Sequence, residues 1–202
     1  MPKVDFFQRL GLFALEHFFD ADACRELRSA IRTGRHRAGT VGTKGSAQVV
    51  DRSYRSVNWV CVDEAMVSLV RAKLLGAKSA VESHYGLTLT DCEAPQFLAY
   101  SPGDHYKAHR DSGAHDKASA VSKARRVSSV IFLNHASESA AADCYGGGAL
   151  TFYGFFDDPS GKSLGISLQA EEGLLITFRS EMLHAVEPVT HGDRYTIASW
   201  YS

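Results

Sequence analysis

The chain has 202 residues, 45% hydrophobic and 22% charged, the balance of a globular protein long enough to bury a core without disulfide or metal staples. Twenty-two Lys and Arg stand against 23 Asp and Glu, a formal net charge of −1, so there is no cationic excess of the kind a nucleic-acid partner requires. No apolar run reaches the roughly 18 residues of a membrane span.

The N-terminus, MPKVDFFQRLGLFALEHFFD, carries acidic residues and has no small-residue cleavage site, which argues against a secretory signal. Cys24, Cys61, Cys92 and Cys144 form no C-x-x-C pair. Their scatter reads as reduced, buried thiols, and the expected location is cytoplasmic. Length favours one domain over residues 1–202, divided into a mainly helical support (1–93) and a strand-rich core with the functional site (94–202).

In the first part, Asp20 or Asp22 can cap a helix to about Arg32, with Cys24, Leu27 and Ile31 on one face. Thr33-Gly34 ends it. Residues 34–48, GRHRAGTVGTKGSAQ, hold four Gly and little apolar content and read as a loop, either solvated surface or a lid. Asp63 can cap a second helix that carries Val67, Val70, Leu74 and Val81 to Tyr85-Gly86.

From residue 94 the pattern changes to short β-rich runs: 96–100, 127–134, 149–153, 166–170, 174–178, 184–189 and 195–201. Strands in such succession without intervening helices point to an antiparallel sandwich or barrel. Gly146-Gly147-Gly148 lacks the Lys and the following helix of a phosphate loop and reads as a strand approach or bulge. Residues 112–126, SGAHDKASAVSKARR, read as a polar loop that either is solvated or grips substrate. Arg125 and Arg126 are open to a role with an acidic substrate.

The stretch Tyr100-Ser-Pro-Gly103-Asp-His-Tyr106-Lys-Ala-His109-Arg-Asp111 contains His109-x-Asp111. On an extended strand, residues two apart point to one side, so an imidazole and a carboxylate could meet one metal ion. The tripeptide recurs at His191-Gly192-Asp193, where the central Gly reads as a hairpin turn. His184 opens a later strand, and Arg194 and Thr196 share a face of the last one. Two His and one Asp leave three adjacent positions free on an octahedral iron, the arrangement of non-haem Fe(II) oxygenases. An Arg can hold a carboxylate by a forked, charge-assisted pair.

With these residues the sequence resembles the Fe(II)/2-oxoglutarate-dependent dioxygenases, and within them the prolyl 4-hydroxylase-like group. The resemblance covers about residues 94–202: Y-x-x-G-x-x-Y-x-x-H-x-D, RRVSSVIFLN, GGGALTF, GLLITFRSEMLHAVEPV and DRYTIASWYS. It implies a double-stranded β-helix, a jelly-roll or cupin-like barrel, flanked by N-terminal helices. It implies that His109, Asp111 and His184 ligate Fe(II), that Arg194 with Thr196 binds the distal carboxylate of 2-oxoglutarate, and that Tyr106 and Tyr100 line the co-substrate pocket. Related hydroxylases place a further Tyr on the strand that here reads Val130-Ile131-Phe132-Leu133, so that hydroxyl is missing.

The implied reaction couples oxidative decarboxylation of 2-oxoglutarate by O2 to hydroxylation of a substrate C–H bond, with ascorbate as reductant. Asp111 stands where related halogenases carry Gly or Ala, which implies hydroxylation. The expected substrate is a prolyl residue of a protein or peptide, with a free amino acid or small metabolite as the alternative. A non-catalytic metal-binding barrel is the reading from a different class. Nucleic-acid demethylation is disfavoured, since the final strand has no second Arg.

Overall fold

A computed structural model describes residues 2–42, 48–112, 119–155, 164–168 and 170–202. The N-terminal part runs α1 (Pro2–Arg9), β1 (Phe13–Leu15), α2 (Ala21–Thr33), β2 (Arg35–Ala38), β3 (Val41–Gly42), β4 (Gln48–Val49), β5 (Arg55–Ser56), β6 (Asn58–Cys61) and α3 (Glu64–Tyr85). The remainder runs β7 (Gln96–Tyr100), β8 (His105–His109), α4 (Ala120–Ala124), β9 (Val127–Phe132), β10 (Gly146–Gly147), β11 (Leu150–Phe152), β12 (Ile166–Leu168), β13 (Leu175–Arg179), β14 (His184–Val186), β15 (Val189–His191) and β16 (Arg194–Tyr201).

The strands form a seven-stranded sheet, β1-β13-β9-β16-β7-β6-β2, and a five-stranded sheet, β12-β11-β14-β8-β5, with antiparallel pairing throughout both. Two short ribbons, β10-β15 and β3-β4, complete the set. This is the expected jelly-roll, mainly β with supporting α.

Side-chain alternation explains how one sheet serves two cores. On β16, Ile197 and Tyr201 face a cluster shared with Leu27 and Ile31 of α2 and Val70, Leu74 and Val81 of α3. Ala198 and Trp200 face the opposite way, into a cluster with Leu98, Tyr100, Phe132, Phe152 and Phe178. All eight residues of β16 are buried, as expected for a central strand covered on both faces. Arg194 and Thr196 share the parity of Ala198 and Trp200, so this alternation delivers two polar side chains to the space between the sheets.

The helices begin as their sequence signals predict. Asp20 accepts a hydrogen bond from Ala23 N at 2.8 Å, and Asp63 accepts one from Met66 N at 2.7 Å. Gly86 closes α3 at φ +62°, a left-handed conformation that glycine adopts without strain. The glycine tract is a bulged ribbon: the β10–β15 register shifts between Gly146 and Gly147.

Several expectations are corrected. Residues 1–93, expected to be mainly helical support, also contribute strands: β1, β2 and β6 extend the seven-stranded sheet, and β5 joins the five-stranded one. Within the supposed loop 34–48, residues 35–38 pair in register with 58–61. Backbone ladder bonds hold this strand although Arg35, His36 and Arg37 are all exposed, because an edge strand can be polar on its open side. Residues 43–47 and 113–118 of the two loop readings, including His115, lie outside the described residues. The stretch 112–126 contains the short helix α4.

His191-Gly192-Asp193 is a turn, with Gly192 at φ +65°, but not a hairpin: β15 pairs with β10 while β16 pairs with β7 and β9. Cys24 and Cys92 are buried thiols, whereas Cys61 is exposed, since Val60 takes the core side of β6.

Candidate active site

His109 ends β8 and His184 begins β14, and the two are directly opposed across the antiparallel ladder. The ladder, and not chain proximity, brings these imidazoles together. Asp111 lies past the end of β8, in a bend. The expected two-apart strand geometry therefore does not place it. Its backbone N–H donates to Ser180 O at 2.9 Å, which swings the carboxylate back toward the two rings. His109 Nε2 is 3.5 Å from Asp111 Oδ1, and His184 Nε2 is 3.7 Å from Oδ2. One ligand atom from each of the three lies within 4.8 Å of the others, close enough to share one metal ion.

Each imidazole is oriented by its other nitrogen. His109 Nδ1 is 2.8 Å from Lys107 O and His184 Nδ1 is 2.9 Å from Met182 O. A carbonyl accepts only from an N–H, so both Nδ1 atoms carry a proton, and Nε2 is the atom that each ring turns toward Asp111. Burial pushes the His184 pKa down to about 4, against the upward pull of Asp111, leaving a neutral imidazole fit for ligation. Burial alone would raise the Asp111 carboxyl, but His184 and His109 more than offset this and hold it well below the usual carboxylate range. Phe178 packs edge-on to His184 with centroids 4.6 Å apart, and Tyr106 stacks on His109 at 3.5 Å. The donor set fits a divalent first-row metal with open positions.

The second part of the site lies deeper. Arg194 is 1% exposed, yet no carboxylate among the described residues pairs with it. Its Nη1 donates to Thr196 Oγ1 at 3.2 Å, and its buried Nε has no partner. The Tyr100 ring, its register partner on β7, lies 4.9 Å from the guanidinium carbon and Phe132 lies 5.3 Å from it. A buried cation without a counterion is costly, so this pocket suits an anionic ligand. The sequence-derived residues thus form two groups: His109, Asp111, His184 and Tyr106 at one, Arg194, Thr196 and Tyr100 at the other.

The sequence matches the 2OG-Fe(II) oxygenase superfamily over residues 95–202. The chain belongs to that superfamily. It is a 2-oxoglutarate-dependent oxygenase whose cofactors are Fe(II), 2-oxoglutarate and O2. No curated protein matches it. Solved structures share the fold. A Pseudomonas putida prolyl-4-hydroxylase is 22% identical, with 95% of this chain and 91% of that chain covered and a TM-score of 0.65. The viral collagen prolyl hydroxylase of Paramecium Bursaria Chlorella virus-1 is 20% identical, with 94% of each chain covered and a TM-score of 0.62. A Trichoplax adhaerens prolyl hydroxylase, in complex with a hypoxia inducible factor oxygen degradation domain peptide fragment, is 18% identical, with 100% and 92% covered and a TM-score of 0.64.

Sequence reasoning missed three residues of this oxygenase site. Ser128 donates to Asp111 Oδ2 at 2.7 Å and lies 3.0 Å from Ser180 Oγ. A polar residue at the inward parity of β9, in line with Phe132, was the available signal. Tyr145, just before the bulged ribbon, is buried and packs beside Arg194 across Gly148, and nothing in the local sequence marks it. Arg55, opposite Tyr106 in the ladder, lies 4.6 Å over the Tyr106 ring. Arg125 takes no free cationic role: it pairs with both carboxylate oxygens of Glu93, at 2.6 and 2.8 Å, and stacks 3.7 Å over Trp200.

Proposed function

We propose that this oxygenase hydroxylates a prolyl residue of a protein or peptide, acting as one domain over residues 1–202. The observation that carries the chemistry is the triangle of His109 Nε2, Asp111 and His184 Nε2, with an unpaired, buried Arg194 deeper between the sheets. The prolyl substrate is supported by structural neighbours that are prolyl hydroxylases along nearly their whole lengths, one of them holding a peptide.

In this reading His109, Asp111 and His184 hold Fe(II). Arg194, with Thr196 donating alongside, holds the distal carboxylate of 2-oxoglutarate. Tyr106 and Tyr100 line the space between. The iron, when bound, supplies the oxidative decarboxylation and C–H hydroxylation characteristic of the superfamily. The chain's own contribution is geometric and electrostatic. The two Nδ1–H bonds fix the imidazoles, Ser180 O fixes the turn at Asp111, and Phe152 and Phe178 exclude water from the back of the metal site.

The test supplies the protein with Fe(II), 2-oxoglutarate and ascorbate as reductant, and follows succinate and peptide mass. A proline-containing peptide should gain one oxygen on proline with matching succinate. Asp111→Ala should lose at least about 100-fold in succinate formation, since metal ligation fails. Turnover stimulated by free amino acids and not by peptides would replace the prolyl reading with the small-metabolite one. Undiminished turnover in Asp111→Ala would remove the ligand assignment.

A further inference from the structure

We infer that Tyr145 is a binding residue for the distal carboxylate of 2-oxoglutarate, supplying from the bulged ribbon the hydroxyl that the strand Val130–Leu133 lacks. The inference rests on the assignment of Arg194 made above.

Phe132 lies with its ring 5.3 Å from the Arg194 guanidinium carbon, so this side of the cation is apolar. Tyr145 comes to the same guanidinium from a different element. It is 1% exposed and sits in the inner core with Leu98, Tyr100, Phe132, Leu150 and Val189. Gly148 allows the approach. A Cβ there would lie 2.9 Å from Arg194 Cδ and 3.2 Å from Tyr145 Cε2, so any side chain would force the two apart, and its φ of +57° disfavours one independently.

Donor and acceptor accounting identifies the ligand. Arg194 has only donors, so toward this neighbour the Tyr145 phenol oxygen can act only as an acceptor. The hydroxyl proton is then left to donate, and no acceptor for it stands among the described residues. Arg194 Nε, also a donor, is buried without a partner. Two donors thus belong to buried neighbouring residues beside an uncompensated positive charge, and an acceptor-only, negatively charged, planar group suits both. A carboxylate has that chemistry. Thr196 completes the set from the next inward position of β16.

The test is calorimetry on the Mn(II)-loaded protein, which binds without turnover. Two ligands are compared: 2-oxoglutarate, and oxalate, which chelates the metal but has no distal carboxylate. Tyr145→Phe keeps the ring and removes one hydrogen bond to a charged group. It should weaken 2-oxoglutarate about 10-fold while leaving oxalate unchanged. Tyr145→Leu, which fills the same apolar floor without a hydroxyl, should shift 2-oxoglutarate in the same direction and serves if the Phe variant folds poorly. Equal 2-oxoglutarate affinity in wild type and variant overturns the inference and leaves Arg194 in its role. Equal loss of both ligands also overturns it, because the effect then acts through the metal. Absence of 2-oxoglutarate binding to the wild type removes the Arg194 assignment itself.

Discussion

Behind Asp111 stands one hydroxyl, and it is the test of how far the metal site depends on its surroundings. Ser128 Oγ donates to Asp111 Oδ2 at 2.7 Å and so restricts rotation of the carboxylate. Groups that orient metal ligands typically contribute 10–100-fold in affinity. Ser128→Ala should therefore weaken Mn(II) binding by about 10-fold in calorimetry, and Ser128→Thr, which keeps the hydroxyl, should bind close to wild type. Equal affinity in all three proteins would show that the Ser128 hydroxyl does not position Asp111. The candidate metal-holding group, His109, Asp111 and His184, was legible in the sequence as a motif. Ser128 and Tyr145 were not. Each acts across a strand or a ribbon, and strand registry is a product of folding that no local pattern encodes.

At the level of elements, helical periodicity and capping carried the most reliable information. The stripe Val70, Leu74 and Val81 of α3 is fully buried, against the face of the sheet that carries Ile197 and Tyr201. The carbonyl of Leu74 accepts from Tyr201 Oη at 2.8 Å, which ties the helix midpoint to the last strand. Leu74→Ala leaves that carbonyl in place and removes only buried side chain. It should cost about 3 kcal/mol, read from the urea midpoint at constant m-value. A cost below about 1 kcal/mol would mean that α3 packs loosely on the sheet. The polar edge strand β2 was illegible for the opposite reason: Arg35-His36-Arg37 shows no apolar alternation, and only its partner at 58–61 makes it a strand.

For the whole molecule, the interface between helices and sheet sets the response to alkali. Cys24 on α2 and Tyr85 on α3 both lie in the outer core. Burial raises the Cys24 thiol from 9.0 to about 12 and the Tyr85 phenol from 10.0 to about 12. Tyr85 is held there as a neutral donor to Thr177 O at 2.7 Å, on β13. Each group stays protonated in the folded state at a pH where the unfolded chain has released its proton. The folded state then binds more protons, and stability falls as pH rises. The stabilising contribution is complete below about pH 9 and is lost progressively toward about pH 12. At about pH 10.5 the two groups together should lower the unfolding free energy by about 3 kcal/mol relative to pH 8. Urea denaturation at the two pH values measures this. Cys24→Ala should reduce the loss, because the group with the larger shift has gone. A loss of the same size in that variant would place the alkaline sensitivity in other tyrosines, such as Tyr201, whose phenol burial also raises.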